Sequence, residues 1–169
     1  MNKVLLLITG GTIGSEWSPA NDTAVTMATD SVSECLRDFI RPEFNVQQKI
    51  ITMKDSREIT DDTRRDIVAT IEKSDCENII ITHGTYTMVE TAKFIEAHLP
   101  DIGNRKIILI GSFWPLKGYS PSDAPFNIGF AFGALLNAKP GIYIAMHAQL
   151  FGPEQVSKDI ENARFRLVK

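Results

Sequence analysis

The chain is poor in cysteine: Cys35 and Cys76 are its two, each in a segment that reads as helix or helix end, and they form no metal-ligand spacing. A disulfide framework and a thiolate metal site are not what organises this protein, and free thiols in a reducing compartment, the cytoplasm, are expected. Clustered basic charge is missing as well. Lys and Arg number 18 against 21 Asp and Glu, for a net charge of -3, and no basic run exceeds the pair Arg64-Arg65. Such a chain has no electrostatic footprint for nucleic acid or anionic lipid, so neither is expected as a partner. Long apolar runs are also lacking. Near the start only Val4 to Ile8 is continuous, too short for a signal segment or a membrane span, and Thr9-Gly10-Gly11 follows at once. What is present is 169 residues, 43% hydrophobic and 23% charged, a mixture suited to one globular domain over residues 1–169.

Strand-length apolar runs recur at Val4–Ile8, Val46–Thr52, Asn78–Thr82, Lys106–Ile110 and Ile142–Ala145. Helical patterns fall between them at Ser31–Ile40, Thr60–Ser74, Thr87–Leu99 and Asp123–Asn137; in the third, Met88, Ala92, Ile95 and Leu99 share one face. This alternation predicts an α/β fold: an open, mostly parallel sheet of the flavodoxin-like or Rossmann-like kind, with helices on both faces. Ile107-Ile108-Leu109-Ile110, apolar at every position, fits a strand covered on both sides. From Phe151 to Lys169 the alternation is lost, which predicts an appended hairpin or arm. The polar segment from Ser15 to Met27, which holds Trp17, reads as a loop able to act as a lid.

Ligands of open parallel sheets bind beyond the carboxyl ends of the strands, and there this chain is rich in hydroxyls. The first strand is followed by Thr9-Gly10-Gly11-Thr12-Ile13-Gly14, whose glycines let backbone N–H groups approach a developing oxyanion. The loop has neither the Lys-Ser/Thr ending of a phosphate loop nor the spacing of a dinucleotide fingerprint. Asp55-Ser56-Arg57-Glu58 follows the second strand, a set suited to a zwitterion and equally suited to a solvated turn. After the third comes Thr82-His83-Gly84-Thr85-Tyr86-Thr87, where Thr87 fits a helix cap. A threonine nucleophile needs a base, for which His83, Tyr86, Lys117 and Lys158 are candidates. His83 also fits a buried structural histidine, and His98 and His147 read as structural.

The two threonine motifs in this order, with Val89-Glu90-Thr91-Ala92 after the second and Gly111-Ser112-Phe113-Trp114-Pro115 beyond, resemble the L-asparaginase/glutaminase family. The resemblance covers nearly the whole chain and ends where that family's larger C-terminal domain would begin, so the expectation is a short-chain member corresponding to the N-terminal catalytic domain. It implies Thr12 as nucleophile, Thr85 as second catalytic threonine, and Lys158 as the lysine supporting Thr85. It also implies Ser56 as a substrate-carboxylate contact; the residues themselves add Gly11, Gly84, Asp55, Arg57 and Glu58 as groups expected to line the substrate. The implied reaction converts L-asparagine to L-aspartate and ammonia through a threonine acyl-enzyme, with no metal or organic cofactor, in a homo-oligomer such as a dimer or tetramer. Three features depart from the family pattern: Tyr86 stands where an Asp is usual, Arg57 follows the serine, and the lid has no tyrosine. A non-catalytic amino-acid-binding module, and a hydrolase of L-glutamine or D-asparagine, are the alternative readings.

Overall fold

Strand β1, Lys3–Gly10, is buried at every position from Val4 onward, a state open only to a strand covered on both faces. Its side chains alternate. Leu5 and Leu7 enter one core, whereas Val4, Leu6 and Ile8 enter another on the opposite face. The computed structural model describes residues 2–27 and 31–168. Among them β4 is Asn45–Lys54, β5 Asn78–Thr82, β6 Lys106–Ile110, β7 Gly141–Met146 and β8 Gln149–Phe151. With β1 these form one sheet in the order β4-β1-β5-β6-β7-β8, parallel throughout except for the last pair.

Helices cover both faces. On one side α2, Asp61–Glu72, places Ile67, Val68 and Ile71, and α3, Met88–His98, places Met88, Ala92 and Ile95, over Leu5, Leu7, Ile79 and Ile81. On the other, α1, Ser31–Cys35, and α4, Ala124–Asn137, cover Val4, Leu6, Ile80, Ile108 and Ile110. The helix expected over Ser31–Ile40 widens after Cys35 into π turns over Leu36–Ile40. Arg41, left-handed at φ 46, ends it by donating its N–H to the Leu36 carbonyl at 2.8 Å. Among the described residues no helix is long and apolar enough to cross a membrane.

The expected α/β architecture is present, with three local differences. The segment expected as a lid loop is a hairpin of β2, Ser15–Ser18, and β3, Thr23–Thr26. Its turn formers are confined to Pro19–Asp22, with Asp22 at φ 50, which leaves Ser-Glu-Trp-Ser and Thr-Ala-Val-Thr free to pair. Strand β8 was not foreseen because its tight turn uses His147 and Ala148, at φ 53 and 61, in place of the Asn-Gly signature such turns usually show. The expected arm holds β8's last residue, Phe151, and then a hairpin, β9 Val156–Asp159 with β10 Arg164–Leu167. Val156 and Phe165 insert into the α2–α3 core, and Lys158, two residues past Val156, shares its inward face.

The carboxyl ends of four adjacent strands lie in register. Gly10 stands opposite Lys54, Ile8 opposite Thr82, and Thr82 opposite Ile110. Successive connections leave β1 toward β4 on one side and then return to β5 on the other, so the loops after β1 and β5 diverge at a topological switch point. They touch there. Gly11 has φ +78, and a Cβ on it would overlap the Gly84 backbone. Gly11→Ala is therefore expected to destabilise the fold by about 2–4 kcal/mol, combining a left-handed alanine with overpacking. Gly14→Ala, whose Cβ would meet only Met53 Cε at 3.9 Å, should be neutral or slightly stabilising. Urea unfolding of the two variants checks the contrast.

Candidate active site

Ser56 joins three loops. It opens a single 3-10 turn, Ser56–Glu58, capped by Asp55, whose carboxylate accepts the Arg57 N–H at 2.8 Å. The serine itself is 1% exposed. Its Oγ accepts the N–H groups of Tyr86 at 3.2 Å and Thr87 at 3.4 Å, and a Cβ on Gly84 would come within 2.6 Å of that oxygen. Thr87, expected to cap α3 with its own side chain, does not; its hydroxyl donates to the Ser56 carbonyl at 2.6 Å. A serine from another loop thus holds the two residues that lead into α3, whose first helical residue is Met88. Ser56 Oγ keeps its own proton for a further acceptor.

Thr12 begins a short 3-10 turn, Thr12–Gly14, directly after Gly11, and is only partly buried. Among the described residues its hydroxyl has no hydrogen-bond partner. Thr85, directly after Gly84, is 5% exposed, and Lys158 Nζ donates to its Oγ1 at 2.7 Å. The same ammonium lies 3.6 Å above the Tyr86 ring centre and 5.2 Å from that of Phe113. Burial beside these rings pushes the Lys158 pKa down; the Asp55 carboxylate opposes this and the Arg57 guanidinium adds to it. Arg57 stacks on Tyr86 at 4.7 Å and grips Asp55 with Nε at 2.9 Å and Nη2 at 3.0 Å. That bidentate bond holds the Asp55 carboxyl below its ordinary range. Tyr86 thus separates two cations, with a ring quadrupole available to both.

The structure therefore brings Gly11 and Gly84 together backbone to backbone with the Ser56 side chain against Gly84, and Thr85, Lys158, Tyr86, Arg57 and Asp55 as one polar chain. Glu58 stays apart: it is exposed and makes no side-chain hydrogen bond or ion pair among the described residues. Lys117, considered above as a base, is paired with Glu34. Trp17 does not open onto solvent as a free lid residue. It packs edge-on against Tyr119 at 5.2 Å, Tyr119 stacks on Trp114 at 4.7 Å, and the Trp17 N–H donates to the Lys117 carbonyl at 2.9 Å.

His83 is fully buried and holds the second loop from beneath. Its Nδ1 faces the Gly84 carbonyl at 2.8 Å, and since a carbonyl only accepts, Nδ1 carries the proton. In the neutral ring Nε2 then accepts from Thr91 Oγ1 at 2.9 Å, and Thr91 in turn accepts from Arg64 Nε at 3.1 Å. Burial lowers the His83 pKa to about 4, the Gly84 carbonyl opposing and Arg64 reinforcing the shift. His83 sets the position of Gly84 and is no base. Sequence reasoning missed Asp123, whose carboxylate accepts the N–H groups of Phe113 and Trp114 at 3.0 Å and so shapes the loop after β6. Its signal was a carboxylate at a helix start, ambiguous with ordinary capping. A cavity of about 650 Å³ lies elsewhere, lined by Cys35, Phe39, Leu116, Pro125 and the Lys117–Glu34 pair, and neither threonine loop nor Ser56 borders it.

Comparison with known proteins identifies residues 3–165 with the family model described as Asparaginase, N-terminal. The chain is 29% identical over 170 residues to a glutaminase-asparaginase of Acinetobacter glutaminasificans, covering 94% of this chain and 50% of that protein. It is 27% identical over 164 residues to a probable periplasmic L-asparaginase of Haemophilus influenzae, covering 92% and 46%. Among solved structures, the thermostable L-asparaginase from Thermococcus kodakarensis superposes with a TM-score of 0.82 at 26% identity, over 98% of this chain and 51% of that one. The chain spans about half the length of the curated relatives it matches.

The buried histidine gives a pH signature. Its folded pKa of about 4 lies below the ordinary 6.5, so between those values the unfolded chain binds the extra proton and stability is lost as pH falls. The loss attributable to His83 should approach roughly 3 kcal/mol near pH 4. Urea unfolding across that range should show a shallower pH slope in His83→Gln than in the natural protein. Equal slopes would contradict the neutral, buried assignment.

Proposed function

Since the chain belongs to the asparaginase family through that family's N-terminal domain, we propose that it is an amidohydrolase, converting L-asparagine to L-aspartate and ammonia through an ester on Thr12. The observation that carries this reading is the Lys158–Thr85 hydrogen bond of 2.7 Å, made on a loop whose Gly84 adjoins Gly11, the residue before Thr12. A partly exposed hydroxyl, without a partner among the described residues, and a lysine-coupled hydroxyl thus branch from two touching backbones at the switch point.

In the proposed sequence Thr12 Oγ1 attacks the amide carbon, and its proton passes to the departing nitrogen, which leaves as ammonia. Backbone N–H groups of the glycine-bearing loops hold the tetrahedral oxyanion. Water then attacks the ester. Its proton moves by way of Thr85 to a neutral Lys158 and is returned to Thr12 as the acid departs. A lysine serves in this way only when deprotonated, and burial by Tyr86 and Phe113 is the physical means of favouring that form. Ser56, with a hydroxyl proton still to donate, and Arg57 are the proposed carboxylate contacts, Ser56 lying beneath the loop surface and Arg57 at it.

We also propose self-association, supported by the long exposed edge strand β4, on which Ile50 is 54% exposed. The unpaired buried thiols of Cys35 and Cys76 support a reducing location such as the cytoplasm.

Steady-state ammonia release from L-asparagine, L-glutamine and D-asparagine tests the chemistry. Thr12→Val should lower the asparagine rate by roughly a thousandfold or more without loss of fold, and Lys158→Met by roughly a hundredfold. The acidic limb of kcat/KM, where activity appears as Lys158 loses its proton, should titrate below the ordinary lysine range. Arg57→Gln should move it upward, since it removes a cation and frees Asp55. Undiminished release in Thr12→Val would sink the nucleophile assignment.

A further inference from the structure

The loop after β6 is held by the residues that open α4. Asp123 precedes that helix with helical backbone angles, φ -79 and ψ -10, and its side chain caps none of the helix's own N–H groups. The carboxylate turns back to the loop instead. Oδ1 accepts the N–H groups of Phe113 at 3.1 Å and Trp114 at 3.0 Å, while Oδ2 accepts Phe113 again at 3.0 Å and Asn127 Nδ2 at 3.1 Å. Ser122 Oγ donates to the Trp114 carbonyl at 3.1 Å, and the fully buried Asn127 donates to the Gly111 carbonyl at 3.0 Å. These bonds place the Phe113 ring. It stacks on His147 at 5.7 Å, meets Phe165 edge-on at 6.2 Å, and lies 5.2 Å from Lys158 Nζ. Tyr86 is nearer that ammonium, at 3.6 Å, but is 48% exposed; Phe113 is the more buried ring and packs against the α2–α3 core.

We propose that Asp123 is a positioning residue for the site: by holding the N–H groups of Phe113 and Trp114 it fixes the Phe113 ring beside Lys158 and keeps water from that side of the lysine. This rests on the reading of Lys158 as the base and names a residue that acts on it through Phe113. A carboxylate suits the task, since a charged acceptor binds N–H groups more strongly than a neutral one and two oxygens serve the two residues together. The charged groups acting on Lys158 are Asp55 and Arg57, from the loop after β4. Asp159, on the other face of β9, is held by Arg164 and Arg166 of β10, and His147, 3.8 Å from Asp123, faces the Phe113 ring. Displacing the ring returns water to the lysine and favours its charged form. Losing the Asp123 charge by itself acts the other way, because a carboxylate taken from a lysine's surroundings favours the neutral amine. The two effects of removing Asp123 therefore differ in sign.

Lysine side-chain NMR of isotopically labelled protein titrates Lys158 directly, its signal being the one absent from Lys158→Met. The pKa of Lys158 should rise by roughly half a pH unit or more in both Asp123→Ala and Phe113→Ala, with urea unfolding showing that each variant is folded. Asp123→Ser, too short to reach the loop, replaces the alanine variant if that one does not fold. Asp123→Asn, which keeps one oxygen for the two N–H groups, should show a clearly smaller rise. No rise in Phe113→Ala, a fall or no change on shortening Asp123, or an equal rise in Asp123→Asn would overturn the positioning role. Ammonia release from L-asparagine separates this proposal from the reading beneath it. Movement of the acidic limb of kcat/KM in step with the NMR titration would support both. Lys158 values that rise as expected in protein that releases no ammonia would retain the positioning role and overturn the hydrolase reading.

Discussion

The backbone of Gly11 lies against that of Gly84 with no space for a Cβ between them, and Ser56 closes the same point from the loop after β4. Three loops of distant sequence therefore share one contact. That contact exists because β4, β1 and β5 are neighbours with aligned carboxyl ends: β1 and β5 are apolar strands that need cover on both faces, and β4, largely exposed, pairs with β1 at the sheet edge. Gly84 is fixed from above by Ser56 and from below by His83, through a hydrogen-bond chain that ends on Arg64. Thr12 and Thr85 inherit their placement from the glycines before them, so the chemistry of the site depends on backbone packing more than on any single side chain.

The C-terminal hairpin adds the remaining group. Val156 and Phe165 anchor it in the α2–α3 core, and the period-two alternation of β9 turns Lys158 the same way as Val156. Asp159 is occupied by arginines of the facing strand, which leaves Lys158 to Thr85 and two aromatic rings. A positive group beside rings in place of a carboxylate is costly to keep protonated, which is what the proposed role of Lys158 as a base requires. The same Tyr86 ring also supports Arg57.

The sheet was legible in the sequence because runs such as Ile79–Thr82 and Ile107–Ile110 are apolar without alternation, a pattern few other structures accept. The β2–β3 hairpin was not, since its strands are short and polar and owe their order to Trp17 packing on Tyr119, a partner about a hundred residues away in sequence. Thr87 reads as a helix cap for the same reason: local sequence offers a cap, and only the fold brings the Ser56 carbonyl to accept its hydroxyl instead. Lys158 was reached through family resemblance, because nothing near Val156-Ser157-Lys158-Asp159 points to Thr85. Side-chain chemistry at strand ends could be read locally, but its pairings could not.

The central claim is that Thr12 carries the acyl group. Rapid acid quench during turnover, followed by peptide mass spectrometry, tests it directly. An acyl mass increment on the peptide containing Thr12, absent when substrate is omitted, is the expected result. An increment on Thr85, or turnover with no labelled peptide under conditions where ester hydrolysis is slowed, would contradict it.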